Sequence, residues 1–157
     1  GAIGALLDEY EKAVNELLDL IDGVSPSELT TIADHKTEDL DCRSIQTILT
    51  HVVRAGYYYA FAIKMKQAED FEDKEIILAK TKEKALLPTV AAYQIALENM
   101  FQFNVQVFAD YPDMKLEQYD HDKKIAVRWG QSYDVEQLME HAIVHTLRHR
   151  RQIERFL

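Results

Sequence analysis

Apolar side chains recur at spacings of three and four residues along most of this 157-residue chain. That is the helical period, because residues three and four apart share one face of an α-helix. In the first stretch, from Ile3 to Ile21, the residues Leu6, Tyr10, Ala13, Val14, Leu17 and Ile21 form one stripe. Acidic and amide residues from Asp8 to Asp19 form the opposite, solvated side. Gly23 and Pro26 end this helix, with Gly23 placed as a C-terminal cap. Punctuation is scarce along the whole chain. Five glycines and three prolines are too few for an all-β protein with many turns.

Three further helices are expected. The second starts at Asp41 to Ser44, where Asp or Ser can cap the first amides, and runs to Gln67. Ile45, Ile48, Leu49, Val52, Gly56 and Tyr59 lie on its core side. The third runs from Lys74 or Ile76 to Ala109 around Pro88. Either it kinks there, or one helix ends at Leu86 and another begins with Pro88 in its first turn. Its C-terminal half is apolar nearly all round, which predicts deep burial or an oligomer contact. The fourth starts at Ser132 or Asp134 and runs to Phe156. Between the helices, Ser25 to Asp41 is a polar connection with a short turn at Ser27 to Leu29, and Ala68 to Lys74 is an acidic loop. Tyr111 to Gln131 is the longest non-helical stretch, with Lys124 to Trp129 as one half of a small hairpin. The expected fold is all-α: a single four-helix-bundle domain over residues 1–157, with a long loop or small hairpin between the third and fourth helices.

Charge and composition narrow the functional classes. A net charge of −9 argues against nucleic acid and against an anionic membrane surface. No run of roughly 18 apolar residues exists to span a bilayer. Gly1-Ala2-Ile3 lacks the character of a secretory leader, and Gly1 reads as a remnant of expression. A single cysteine, Cys42, excludes an internal disulfide and suits a reducing cytoplasm. Cys42 precedes the second helix and is expected to be an inert thiol.

The chemistry concentrates in the histidines. His141, His145 and His149 follow one another at four-residue spacing on the fourth helix. With Leu138 as the zero of the helical wheel, Ala142, His145, His149, Ile153 and Phe156 fall within about 60° of it. His145 and His149 thus sit mid-stripe, while His141 and Gln152 lie on one flank. Two imidazoles inside an apolar stripe each need two polar partners. A divalent metal satisfies one nitrogen of each. A surface histidine cluster and a buried polar network are the competing readings. Two ligands are too few for tight binding, so a third has to come from another helix. His51 is the only other histidine on a predicted helix, although taken alone it reads as a packed, hydrogen-bonded side chain. His35 and His121 lie in loops and read as solvated. No Glu-x-x-His or His-Glu-x-x-His pattern occurs, which argues against a carboxylate di-iron bundle and a zinc protease helix.

These features together resemble the DinB/YfiT-like superfamily of small bacterial metal-binding four-helix bundles. Ser44-Ile45 leads to His51 seven residues after the serine. The last helix reads His145-Thr146-Leu147-Arg148-His149-Arg150-Arg151-Gln152, similar to the family's His-x-x-x-His-Arg-Gly-Gln ending, with Arg151 in the glycine position. Trp129-Gly130 before that helix is similar to a recurring family feature, whereas Arg43 stands where the family often has Trp. The resemblance covers essentially the full length. It implies a bundle with His51, His145 and His149 as ligands of a divalent ion, nickel or zinc; a homodimer is the expected assembly. Some members resemble S-transferases or isomerases that use a low-molecular-weight thiol, and the expected function is a metal-dependent enzyme, an S-transferase or a hydrolase, acting on a small electrophilic molecule. His141, Arg54, Tyr58 and Gln152 are candidate pocket or ligand-supporting residues by column position. The alternatives are a non-catalytic metal-binding or stress-response bundle, and a plain dimeric bundle with a vestigial site.

Overall fold

Four long helices carry the structure, a computed structural model that describes all of residues 1–157. They are α1 (Ala2–Asp22), α3 (Ile45–Gln67), α5 (Val90–Asp110) and α6 (Val135–Phe156). Two short helices, α2 (Pro26–Thr30) and α4 (Lys74–Lys80), and 3₁₀ turns at Leu40–Cys42 and His121–Lys123 lie in the connections. The chain is thus predominantly α-helical, as the apolar period predicts. Each long helix packs against two others: α1 against α5 and α6, and α3 against α5 and α6. One buried cluster runs through all four, with Leu17, Ile48, Leu97 and Leu138 each at 0% exposure. Burying each such side chain contributes about 1.5–3 kcal/mol.

Helix starts are set by side-chain caps. Ser44 accepts from the amide of Thr47 while the Thr47 hydroxyl accepts from the Ser44 amide, closing a capping box on α3. Asp134 and Gln137 do the same for α6. Ser25 and Glu28 cap α2, which covers the predicted short turn and buries Leu29. Gly23 does close α1, but with right-handed backbone at φ −86°, so the cap has no need of a glycine.

The predicted third helix is corrected. It ends at Lys80 rather than Leu86, and residues 81–89 run without helix before α5 begins. Pro88 is outside α5 altogether, because Thr89 is the residue that caps it, accepting from the Ala92 amide. The break is held from outside the segment. Tyr93 Oη accepts from the Leu87 amide at 2.9 Å, and Gln46 Nε2 donates to the Leu87 carbonyl at 2.8 Å.

The predicted hairpin forms. β1 (Ile125–Ala126) pairs antiparallel with β2 (Ser132–Tyr133). Val127 N donates to Gln131 O at 2.9 Å, and Gly130 N donates to Val127 O at 3.0 Å. Gly130 has φ +89°, the left-handed region that only glycine enters without strain. This three-residue loop sets Arg128 and Trp129 at its tip.

Candidate metal centre

Because α3 and α6 are neighbours, His51 on the one meets His145 and His149 on the other. Their ring nitrogens converge. His51 Nε2 is 2.9 Å from His145 Nε2, and His149 Nε2 is 3.1 Å from the same atom. The ring centroids are 4.4–5.0 Å apart. His149 is the most enclosed of the three at 4% exposure, while His51 and His145 are half-buried.

The outer nitrogens define which ring atom faces inward. His149 Nδ1 lies 2.9 Å from Gln152 Oε1. A carbonyl oxygen only accepts, so Nδ1 carries the hydrogen and Nε2 keeps its lone pair. His51 Nδ1 lies 3.5 Å from Asp41 Oδ2, inside ion-pair range, yet it is buried without a hydrogen-bond partner. Asp41 is instead bonded to Arg54 Nη2 at 2.5 Å. A nearby carboxylate favours a proton on Nδ1, and with it there Nε2 of His51 would keep its lone pair toward His145.

Burial tunes the histidines toward the neutral form. Desolvation, helped by repulsion from His149 and Arg54, lowers the His51 pKa to about 4 against the pull of Asp41. His145 is lowered strongly, first by burial and then by the neighbouring histidines. His149 is lowered by burial, partly offset by its bond to Gln152. Neutral imidazole is the form that ligates metals.

The residues fit a divalent cation. One hydrogen can sit on only one of the two short contacts at His145 Nε2, whereas a cation accepts lone pairs from all three rings. Nitrogens held at about 2.0–2.1 Å from a tetrahedral ion lie roughly 3.3 Å apart, close to both contacts at His145. The group can thus hold a metal ion.

A cavity of about 320 Å³ opens beside His51 and His145. Trp129 stacks on His141 with centroids 5.0 Å apart, and His141 stacks on His145 at 6.2 Å. His141 therefore belongs to the aromatic wall and lies outside the converging triad. Tyr59, buried at 3%, meets both His141 and His145 edge-on. Tyr58 accepts from the Arg128 amide at 3.0 Å, and its ring lies under the Arg128 guanidinium at 4.1 Å. Arg54 lines the cavity while paired to Asp41. Of the four supporting candidates from the sequence, Gln152 touches a triad ring directly, and the other three face the cavity.

Several participants are not apparent from the sequence pattern. No acid lies on the helical column of His51; Asp41 reaches it from the 3₁₀ turn before the helix. Arg148 looks like a complement to the helix dipole but also lines the cavity. Arg128 arrives on the hairpin. Cys42 keeps its thiol protonated, since burial and the nearby Asp39 push its pKa up, while His35 and His121 are exposed and far from any cluster. No family model, curated protein or solved structure matches this chain, so the functional reading stands on this geometry.

Proposed function

We propose that His51, His145 and His149 hold one divalent metal ion, nickel or zinc, and that the chain is a metal-dependent transferase or hydrolase acting on a small electrophilic molecule. In the transferase form a low-molecular-weight thiol is the co-substrate. The observation that carries this reading is the convergence of three imidazole nitrogens beside an open cavity. Three histidine ligands with an open side is the pattern of a reactive centre, whereas closed four-ligand sites are structural. The helix arrangement and the order of the histidines support a DinB/YfiT-like four-helix bundle.

A divalent ion held there would supply Lewis acidity, favouring the deprotonated form of a water or thiol brought beside it. The chain's own residues do the rest. Gln152 holds His149 in one tautomer. Asp41 biases His51 the same way while anchoring Arg54. Tyr59, His141 and Trp129 shield one side of the cavity from water, which strengthens electrostatics inside it.

Elemental analysis of the purified protein tests the ligand set. About one metal per chain is expected, falling well below that in His51→Ala and in His145→Ala. Metal retained in full by both variants would show that the ligands lie elsewhere. For the reaction, a thiol mixed with an aryl halide should be consumed by the metal-loaded protein and not by the metal-free form. Bound metal without any turnover of electrophiles would leave a non-catalytic metal-binding bundle.

A further inference from the structure

The cavity beside the triad has a charge opposite to that of the molecule. The chain carries a net −9, yet none of the 11 residues lining this cavity is acidic and three are arginines: Arg54, Arg128 and Arg148. Arg54 is neutralised by Asp41. The other two are in no ion pair. Arg128 is nonetheless held in place. Its Nη2 donates to Thr81 Oγ1 at 2.7 Å and its Nη1 to the Thr81 carbonyl at 3.2 Å, and Thr81 is 2% exposed. These are neutral acceptors, so the cation is positioned without being neutralised. Arg148 stands on α6 one residue before His149, one turn beyond the row that carries His141 and His145, and faces solvent.

The rest of the lining is flat and aromatic. Trp129 is 43% exposed and stacked on His141, with Tyr58 and Tyr59 edge-on to the indole at 6.1 and 6.3 Å. A half-open tryptophan face at the mouth of a cavity offers a stacking surface for a planar group. Arg148 offers an uncommitted fork, and Arg128, whose Nη1 and Nη2 each give one hydrogen to Thr81, offers its remaining N–H groups to a carboxylate or similar oxyanion.

We infer that the molecule bound beside the triad is a small planar anion, its flat unsaturated part against the exposed surface of Trp129 and its oxyanion on Arg128 and Arg148. This deepens the proposed function and rests on it for the role of the neighbouring metal, but the anion-binding residues are distinct from the metal ligands. Selection follows from charge. A neutral isostere stacks equally well but leaves both guanidiniums without an anionic partner, and charge-assisted hydrogen bonds of this kind are worth about tenfold or more in affinity.

Trp129 is the only tryptophan in the chain, so its fluorescence reports on this cavity alone. The probes are benzoate and its neutral isostere benzamide, titrated into metal-free and metal-loaded protein at low salt. Benzoate should bind at least about tenfold more tightly than benzamide in both forms. Arg148→Gln, at an exposed position where folding is not at risk, should remove most of that preference, and Arg128→Gln should do likewise. Equal affinities for the two probes, no response to either, or a benzoate preference unchanged in Arg148→Gln would overturn the inference. Because the metal-free protein is measured separately, a failure of the metal reading shows in elemental analysis. A failure of the anion reading shows here, in protein of known metal content.

Discussion

At the scale of single residues, the triad joins two demands that ordinarily conflict. The rings are buried enough to stay neutral, and their lone pairs face one another. Stability should then depend on pH with a definite sign. His51 has an ordinary pKa of 6.5, lowered to about 4 in the fold. Between those values the unfolded chain takes up protons that the folded chain refuses, so stability falls as pH falls through this window and is fully present above it. His145 and His149 are lowered too and act in the same direction. Thermal melts of metal-free protein from pH 8 to pH 4 should show this loss, and a His51→Gln, His145→Gln double variant should show a flatter profile. An equal acid sensitivity in the double variant would assign the loss to other groups. Gln152 offers a second test at this scale. Gln152→Leu removes the acceptor that fixes His149 and should weaken metal affinity about 10–100-fold, as expected for loss of a residue supporting a ligand. Gln152→Glu, which keeps an acceptor, should restore most of it. A competition titration with a chromogenic chelator measures both.

At the scale of elements, the contact between α3 and α5 is unusually close at Gly56. A Cβ added there would run into the side chain of Met100, which is 0% exposed. Met100 cannot swing aside freely, because its sulfur receives Tyr10 Oη at 3.4 Å and Asn104 Nδ2 at 3.5 Å. Asn104 Nδ2 also reaches the Gly56 carbonyl at 3.2 Å, tying the two backbones together. Two effects oppose each other in Gly56→Ala. Helix propensity gains about 1 kcal/mol, while overpacking costs about 1–3 kcal/mol. The clash should win, for a net loss of roughly 1 kcal/mol by urea unfolding. A Met100→Ala background, which opens the space, should convert the same substitution into a gain. A Gly56→Ala protein more stable than the parent would mean the contact yields without cost. The hairpin is the other element with a defined role. Its turn depends on a positive φ at Gly130, and through that turn it delivers Arg128 and Trp129 to the cavity.

For the molecule as a whole, the triad bridges two helices that are far apart in sequence, one histidine on α3 and two on α6. A metal that binds the folded chain and not the unfolded one stabilises it by mass action, about 2.7 kcal/mol at a hundredfold excess over Kd. For a chain of this length that is a rise of roughly 5–10 °C in Tm. Calorimetry with added zinc or nickel should show this rise, reversed by a chelator. His51→Ala should abolish most of it even though His145 and His149 remain, because the bridge to α3 is gone. A full shift in that variant would place the bound metal on α6 alone. The acidic surface with a cationic cavity adds a long-range effect. Attraction of an anion to those arginines is Coulombic, so anion binding should weaken as ionic strength rises.

The sequence alone determined α1, α3 and α6, and the body of α5 within a longer expected helix, because apolar residues at three- and four-residue spacing have only one regular solution. It also determined that His145 and His149 face inward, since they share the stripe of Leu138 and Ile153. One strand of the hairpin was legible from the extended stretch Lys124 to Trp129 before Gly130. The tertiary structure decided everything that depends on which helices are neighbours. His51 looks like an ordinary core histidine until α3 packs beside α6. Asp41 is off every helical column, and Arg148 looks like a charge suited to a helix end. The end of α4 at Lys80 was hidden for a similar reason. Local propensity carries the helix on to Leu86, while side chains of Gln46 and Tyr93, from α3 and α5, hold the Leu87 backbone in a non-helical segment. Periodicity is a property of one helix read alone; a site is a property of side chains converging from several, and only packing fixes that convergence.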